Sequence, residues 1–327
     1  MNHFFLLFLL LWTTTDAQMT RRLEGYNIDR NQISVAGLSS GAAFAHQMHV
    51  IHSATFIGAG IFAGMPYNCA ENHDQFDCGL NPENINIQGL IEDTLRFASE
   101  GNIDPVSNLR GSKIFLLHGT EDFVVNIGST RHIQRYYENF GSQVASEYGL
   151  QVGHAHPTLN YGWECSEGFT LPPNINNCSY DGAFHIFNSI YDNIVNHNGS
   201  VGLNGQFFEF DQSEFKTSED DSLDDVGYMY VPSGCVERST ACKLHIYFHG
   251  CANGRIFLDD EIARNSGFNE LAELNNIIVM YPQNEGQLIA CWDTNGYEGD
   301  GLGWQTKDGI QVQAIKRMVD RVTRIQT

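Results

Sequence analysis

Gly37-Leu38-Ser39-Ser40-Gly41 places a serine between two glycines, after an apolar stretch at 33–36 and before a helix-forming stretch at 42–48. Strand, sharp turn and helix are the setting in which such a serine attacks an acyl carbonyl. Small neighbours are required because the serine sits on a tight, strained turn where larger side chains would clash. A neutral serine is a weak nucleophile. The rest of the chain must therefore supply a base, an acid to orient it, and donors for the developing oxyanion.

Each has a candidate. Residues 113–117 read as a strand of the parallel-sheet type, apolar from Ile114 to Leu117 and ending in His118-Gly119-Thr120-Glu121-Asp122, so Asp122 lies in a loop just past a strand. A further strand over 144–150 precedes Gly153-His154-Ala155-His156-Pro157-Thr158. Ser39, Asp122 and a histidine at 154 or 156 fall in the order Ser, Asp, His that an α/β hydrolase requires. Spacing alone does not separate the two histidines. A third strand, 244–248, ends in His249-Gly250-Cys251, and an H-G loop after a strand has the character of an oxyanion loop.

The elements that must position these residues come in an unusual order. In an ordinary α/β hydrolase the H-G strand, the next strand (here 277–282) and a helix precede the nucleophile turn; here they follow the histidine. Joining the amphipathic helix at 308–324 to Tyr26-Asn27-Ile28-Asp29 restores the usual order. The expected fold is therefore α/β: a circularly permuted α/β hydrolase, with a mostly parallel central sheet flanked by helices. Termini of compact domains lie close together at the surface, so such a rearrangement is physically accessible. Helices are expected near 40–53, 84–100, 127–140 and 180–195.

Residues 1–17 read as a secretory signal peptide: an apolar run at 4–12 too short to span a bilayer, then small residues at 15–17, although Lys and Arg are missing ahead of it. Residues 18–327 are expected to form one catalytic domain. With export, eight cysteines favour disulfides. Proximity suggests Cys69–Cys78, Cys165–Cys178 and Cys235–Cys242, leaving Cys251–Cys291. Sequons at Asn177 and Asn198 fit glycosylation along a eukaryotic secretory route. The chain is expected to be secreted, or held in the lumen of the secretory-endosomal system. With 39 acidic against 18 basic residues, a net charge of −21 argues against nucleic acid or anionic membrane as partners. A monomer is expected. His46, His49 and His52 lack the i, i+4 spacing of a helical zinc pair, and the acidic run 213–225 lacks EF-hand spacing, so no metal is expected.

The permuted order and its motifs resemble the extracellular poly(3-hydroxybutyrate) depolymerases of the single-domain, circularly permuted kind. Gly37-Leu38-Ser39-Ser40-Gly41, His118-Gly119-Thr120-Glu121-Asp122, His154-Ala155-His156-Pro157-Thr158 and Tyr247-Phe248-His249-Gly250-Cys251 carry the resemblance. Tyr281-Pro282-Gln283 and Cys291-Trp292-Asp293 with Gly296-Tyr297 extend it, so that it runs from about Ile28 to the C-terminus. It implies Ser39 as nucleophile, Asp122 as acid, and His154 rather than His156 as base. It also implies an oxyanion hole from the N–H groups of Ser40 and Cys251, and no cofactor. His118 and His249 are expected to shape their loops. The chain departs from the family at Thr294, where a second tryptophan commonly follows Cys-Trp-Asp; Trp292, Tyr297 and Trp304 are candidates for substrate contact in its place. The substrate implied is a short-chain polyhydroxyalkanoate. A carboxylesterase for feruloyl or acetyl-xylan groups, and an inactive secreted binding protein on the same fold, are the rival readings.

Overall fold

The computed structural model describes residues 20–71, 75–167, 172–197, 199–218, 221–286, 289–299, 301 and 303–324. The expected signal peptide and the sequon asparagine at 198 lie outside them. Among the described residues twelve strands are present in chain order: β1 Arg21–Arg22, β2 Ile28–Leu38, β3 Gly58–Phe62, β4 Lys113–Leu117, β5 Gln143–Glu147, β6 His156–Thr158, β7 Trp163–Glu164, β8 Ile175–Asn177, β9 Gln206–Asp211, β10 Val226–Val231, β11 Cys242–Phe248 and β12 Ile277–Tyr281. Nine form one sheet in the order β1-β9-β10-β12-β11-β2-β3-β4-β5, and β6, β8 and β7 form a small second sheet. From β12 to β5 every neighbouring pair is parallel, whereas β10 runs antiparallel to both β9 and β12.

Counted from β9, the long sheet reads 1-2-4-3-5-6-7-8, which makes β11 the third strand and β2 the fifth. The H-G loop then follows the third strand, where an α/β hydrolase carries oxyanion donors. The rotation of chain order is visible in the contacts: Tyr26 N–H donates to the Val322 carbonyl at 2.8 Å, and Arg30 donates to the Thr323 carbonyl at 3.0 Å. The helix Ile310–Val322 thus hands over to β2 in space though not in sequence.

Side chains of the central strands alternate between two cores, as the period of two demands. Ile33 and Val35 of β2, with Leu244, Ile246 and Phe248 of β11, pack into one layer. Ala36, Leu38 and Tyr247 pack into the other, with the helices Gly182–Ile190 and Phe268–Asn275. Both faces are covered, which explains why β12, Ile277–Tyr281, reads as a continuous apolar run. The expected helix over 180–195 is shorter, Gly182–Ile190, because Asp181 caps it by accepting the Phe184 N–H at 2.9 Å. The strand expected over 144–150 is Gln143–Glu147. The cysteines pair as Cys69–Cys78, Cys165–Cys178, Cys235–Cys242 and Cys251–Cys291.

Candidate active site

Ser39 follows β2 and caps the helix Ser40–Ile51 with φ 58° and ψ −123°, a conformation residues other than glycine rarely adopt. Its N–H donates to the Phe62 carbonyl at 2.9 Å, which ties the turn to the end of β3. The flanking glycines are fixed by contact. A Cβ on Gly37 would lie 2.4 Å from the Gly41 carbonyl, and one on Gly41 would lie 2.3 Å from the carbonyl oxygens of Phe248 and His249. Helix, strand and H-G loop therefore meet backbone to backbone around the serine. Ser40 opens the helix, so its N–H has no intrahelical acceptor and stands at the positive end of the helix dipole.

The loops after β4 and β5 are joined by backbone bonds that prolong the β4–β5 pairing. His118 N–H donates to Glu147, Thr120 to Leu150 and Glu121 to Val152, at 2.9–3.2 Å. A Cβ on Gly119 would lie 1.8 Å from the Val152 carbonyl oxygen, so only glycine allows this approach. The register delivers Asp122 to His154, with Nδ1 and Oδ2 2.8 Å apart. The carboxylate only accepts, so Nδ1 carries the proton. The other oxygen, Oδ1, accepts the N–H groups of Val124 and Val125, each at 2.9 Å.

The Asp122 side chain is fully covered, and burial alone would raise its pKa. The hydrogen bond and charge of His154, His118 beside it and the Val125 N–H together hold it below the usual carboxylate value. His118 braces this loop, with Nδ1 2.8 Å from the Thr130 hydroxyl and Nε2 3.0 Å from the Val125 carbonyl.

His156 lies elsewhere. Its ring is buried among Phe62, Tyr247 and Phe268, with Nδ1 3.1 Å from the Tyr247 hydroxyl, and burial pushes its pKa down to about 3. One residue apart along a strand reverses facing, but two apart would not. The separation arises because His154 precedes β6 whereas His156 begins it. In this fold Asp122 meets His154, whereas His156 faces the Tyr247 hydroxyl.

On the other flank of Ser39, the H-G loop passes so close that a Cβ on Gly250 would lie 3.4 Å from the Ser39 Cβ. Cys251 is tethered to Cys291, whose carbonyl accepts from Asn284 Nδ2 and the Tyr297 hydroxyl, each at 2.7 Å. Gln311 Nε2 donates to the Tyr297 hydroxyl at 2.9 Å and to Glu298 Oε1 at 2.8 Å; Ser222 N–H donates to the same carboxylate at 2.9 Å. Burial pushes the Glu298 carboxyl up to about 7; the Ser222 bonds oppose this and the nearby Asp221 and Asp293 add to it.

This network corrects the aromatic candidates. Trp292 is 0% exposed: it stacks on Phe44 with centroids 4.9 Å apart and donates Nε1–H to the His249 carbonyl at 3.0 Å. It is a brace between the helix Ser40–Ile51 and the H-G loop and has no face left for substrate. Trp304 is also buried, and its carbonyl accepts Gln47 Nε2 at 2.9 Å. Tyr297 keeps a partly exposed ring, but its hydroxyl is committed to the network. Sequence reasoning missed Asn284, Glu298 and Gln311, since partners so far apart in the chain carry no local signal. His46, His49 and His52 are buried and neutral, their pKa values pushed by burial to about 3, 3 and 4; among the described residues no cluster of metal-ligating side chains is found.

The rotated sheet order, with a strained serine at the tip of its fifth strand, defines a circularly permuted α/β hydrolase. No protein-family model matches the chain. It is 38% identical over 309 residues to a poly(3-hydroxybutyrate) depolymerase of Delftia acidovorans, a match covering 92% of this chain and 61% of that protein. It is 32% identical over 323 residues to a polyhydroxybutyrate depolymerase of Talaromyces funiculosus, covering 92% of each. Two solved structures superpose closely: a PHB depolymerase of Penicillium funiculosum, TM-score 0.82, and a serine-to-alanine PHB depolymerase complexed with an R3HB trimer, TM-score 0.83. Both are 30% identical and cover 92% of this chain and 98% of theirs. The chain belongs to the polyhydroxybutyrate depolymerase family. It spans less than two thirds of the Delftia relative's length.

Proposed function

We propose that the chain is a secreted serine esterase that hydrolyses poly(3-hydroxybutyrate) or related short-chain polyhydroxyalkanoates. The observation that carries this reading is the 2.8 Å bond between His154 and the covered Asp122, in a chain whose elbow serine after β2 holds a strained conformation. With Nδ1 held by the carboxylate, Nε2 is the nitrogen that takes the Ser39 proton as Oγ attacks the ester carbonyl. The N–H groups of Ser40 and Cys251 receive the oxyanion, and two such donors contribute several kcal/mol, roughly, to lowering the barrier. Imidazolium then protonates the leaving alcohol. Water, deprotonated by the same histidine, releases the hydroxy acid or oligomer from the acyl-enzyme, and no cofactor enters.

A solid substrate is supported by exposed apolar side chains in the segments that follow parallel strands at the same C-terminal end of the sheet as Ser39. Phe123 and Val124 follow β4, Ile256 and Phe257 follow β11, and Ile289 follows β12, all exposed. Four disulfides suit an oxidising compartment, and no helix among the described residues is long and apolar enough to cross a membrane. Asn177 is exposed, as a glycosylation site must be. Residues 1–17 act in this reading as the export signal, and residues 18–327 as one monomeric catalytic domain.

Clearing of a turbid polymer suspension, run beside hydrolysis of p-nitrophenyl butyrate, tests the proposal. Both activities are expected, and both vanish in Ser39→Ala. Hydrolysis of the small ester without clearing would favour a carboxylesterase instead. A folded protein that a fluorophosphonate fails to label would point to a binding protein.

A further inference from the structure

The acid–base loops and the oxyanion loop come from opposite sides of β2, yet two buried asparagines join them. Asn253, at the end of the H-G loop, donates Nδ2–H to Asn174 Oδ1 at 2.9 Å, and Asn174 Nδ2 donates to the His154 carbonyl at 3.1 Å. The Asn174 carbonyl in turn accepts the His156 N–H at 2.8 Å. Asn174 therefore holds the chain at 154 and again at 156. Both side chains are buried, at 7% and 2% exposure, so neither amide exchanges its partners for water at low cost.

The chemistry at Asn174 is selective. One side chain must donate to a carbonyl and accept from an amide, and the asparagine amide does so with two separate atoms. Its backbone has φ 52°, a left-handed conformation that asparagine tolerates better than most residues. At the other end, a Cβ on Gly250 would lie 2.9 Å from Asn253 Oδ1 and 3.4 Å from the Ser39 Cβ. The Asn253 side chain thus packs behind the glycine that flanks the serine.

Resting on the proposed triad, we infer that Asn174 and Asn253 form a positioning clamp that sets His154 and the Cys251 oxyanion donor at a fixed separation across Ser39. Neither residue touches the reacting atoms. Their work is to keep base and oxyanion donor aligned in one geometry, and small misplacements of such groups cost rate steeply.

The test compares Asn174→Ala, Asn253→Ala, the double variant and the isosteric Asn174→Asp. Each is assayed for kcat and KM on p-nitrophenyl butyrate, for fluorophosphonate labelling rate and for Tm; Asn253→Ser serves if the alanine variant fails to fold. Each single variant is expected to lose kcat by about 10- to 100-fold with KM nearly unchanged, labelling slowing in step. The double variant should lose no more than the worse single, because one bridge is broken either way. Asn174→Asp should fall with Asn174→Ala, since it keeps the acceptor but loses the donor to His154. Folded variants retaining kcat within twofold, or losses that multiply in the double variant, would overturn the clamp while leaving the triad standing. An unlabelled, inactive wild type would overturn the triad and the clamp together.

Discussion

The two flanks of Ser39 are held by different means. On the β3–β5 side, Asp122 and His154 are placed largely by main chain: the loops after β4 and β5 continue the sheet's own hydrogen bonding, and Asp122 is satisfied by backbone N–H groups and one histidine. On the β11–β12 side, the H-G loop is placed by side chains: a disulfide, the buried indole of Trp292, and a polar network through Asn284, Tyr297, Gln311 and Glu298. The first flank has its charge compensated, with Asp122 held below its usual pKa. The second buries a carboxyl whose pKa is raised. Apart from the Asn174–Asn253 bridge that joins the two flanks, changes at Asp122 and His154 should therefore register in rate, and changes in the tether and polar network of the second flank in stability and its dependence on pH.

The largest effect expected is in rate. Asp122→Asn keeps the shape and both backbone bonds to the first oxygen but presents an amide to His154, favouring the wrong tautomer. A loss of about 10⁴-fold in kcat is expected with little change in Tm, by analogy with serine proteases. Steady-state kinetics beside a thermal melt check it; a large fall in Tm would mean that the acid loop is held by the carboxylate rather than by main chain.

Next comes the tether of the other flank. Cys251 and Cys291 enclose 40 residues of sequence separation, and replacing both by alanine should destabilise the protein by about 4 kcal/mol from loop entropy. Denaturant unfolding measures this. A stability within 1 kcal/mol, roughly, of wild type would show that Trp292 and the polar network suffice.

The two histidines separate rate from stability at closest range. His154→Ala should abolish esterase activity, whereas His156→Ala should keep it and lose about 3 kcal/mol of stability, as truncating a fully buried ring does. His156, with a folded pKa of about 3, is neutral in the core, so the unfolded chain takes up its proton first. Its contribution is intact above the unfolded value of 6.5 and is lost as pH falls towards 3. Thermal melts between pH 7 and 4 should decline less steeply for His156→Ala than for wild type. If His156→Ala is inactive and His154→Ala active, the assignment of the base is wrong.

How much of this was legible before the fold was known follows the same divide. The main-chain flank was readable because strand, loop and acid are contiguous: 113–117 ends in Asp122, and the histidine pair follows the next strand. The permutation was readable from motif order alone. The antiparallel strands β9 and β10 went unread, since Gln206–Asp211 carries glutamate and aspartate among its phenylalanines and β10 follows an acidic run. The side-chain flank was opaque. Trp292 looked like a substrate-facing ring because nothing local reveals that Phe44, nearly 250 residues earlier, covers its face. Asn174 and Asn253 gave no signal for the same reason.

The smallest expected effect isolates the charge left on the opaque flank. Glu298 has a folded pKa of about 7 against an ordinary 4.5, so the folded protein keeps a proton that the unfolded chain has already released. Its contribution is fully present below 4.5 and is lost as pH rises through 7. Glu298→Gln preserves the oxygen that accepts from Ser222 and Gln311 and removes the titration. Relative to wild type, the variant should gain about 2 kcal/mol between pH 5 and pH 8. Chemical unfolding at the two pH values measures the difference. Parallel pH dependence in the two proteins would mean that the carboxyl is already ionised at pH 5, with its charge carried by Ser222 and Gln311, and the contrast in charge between the two flanks would disappear.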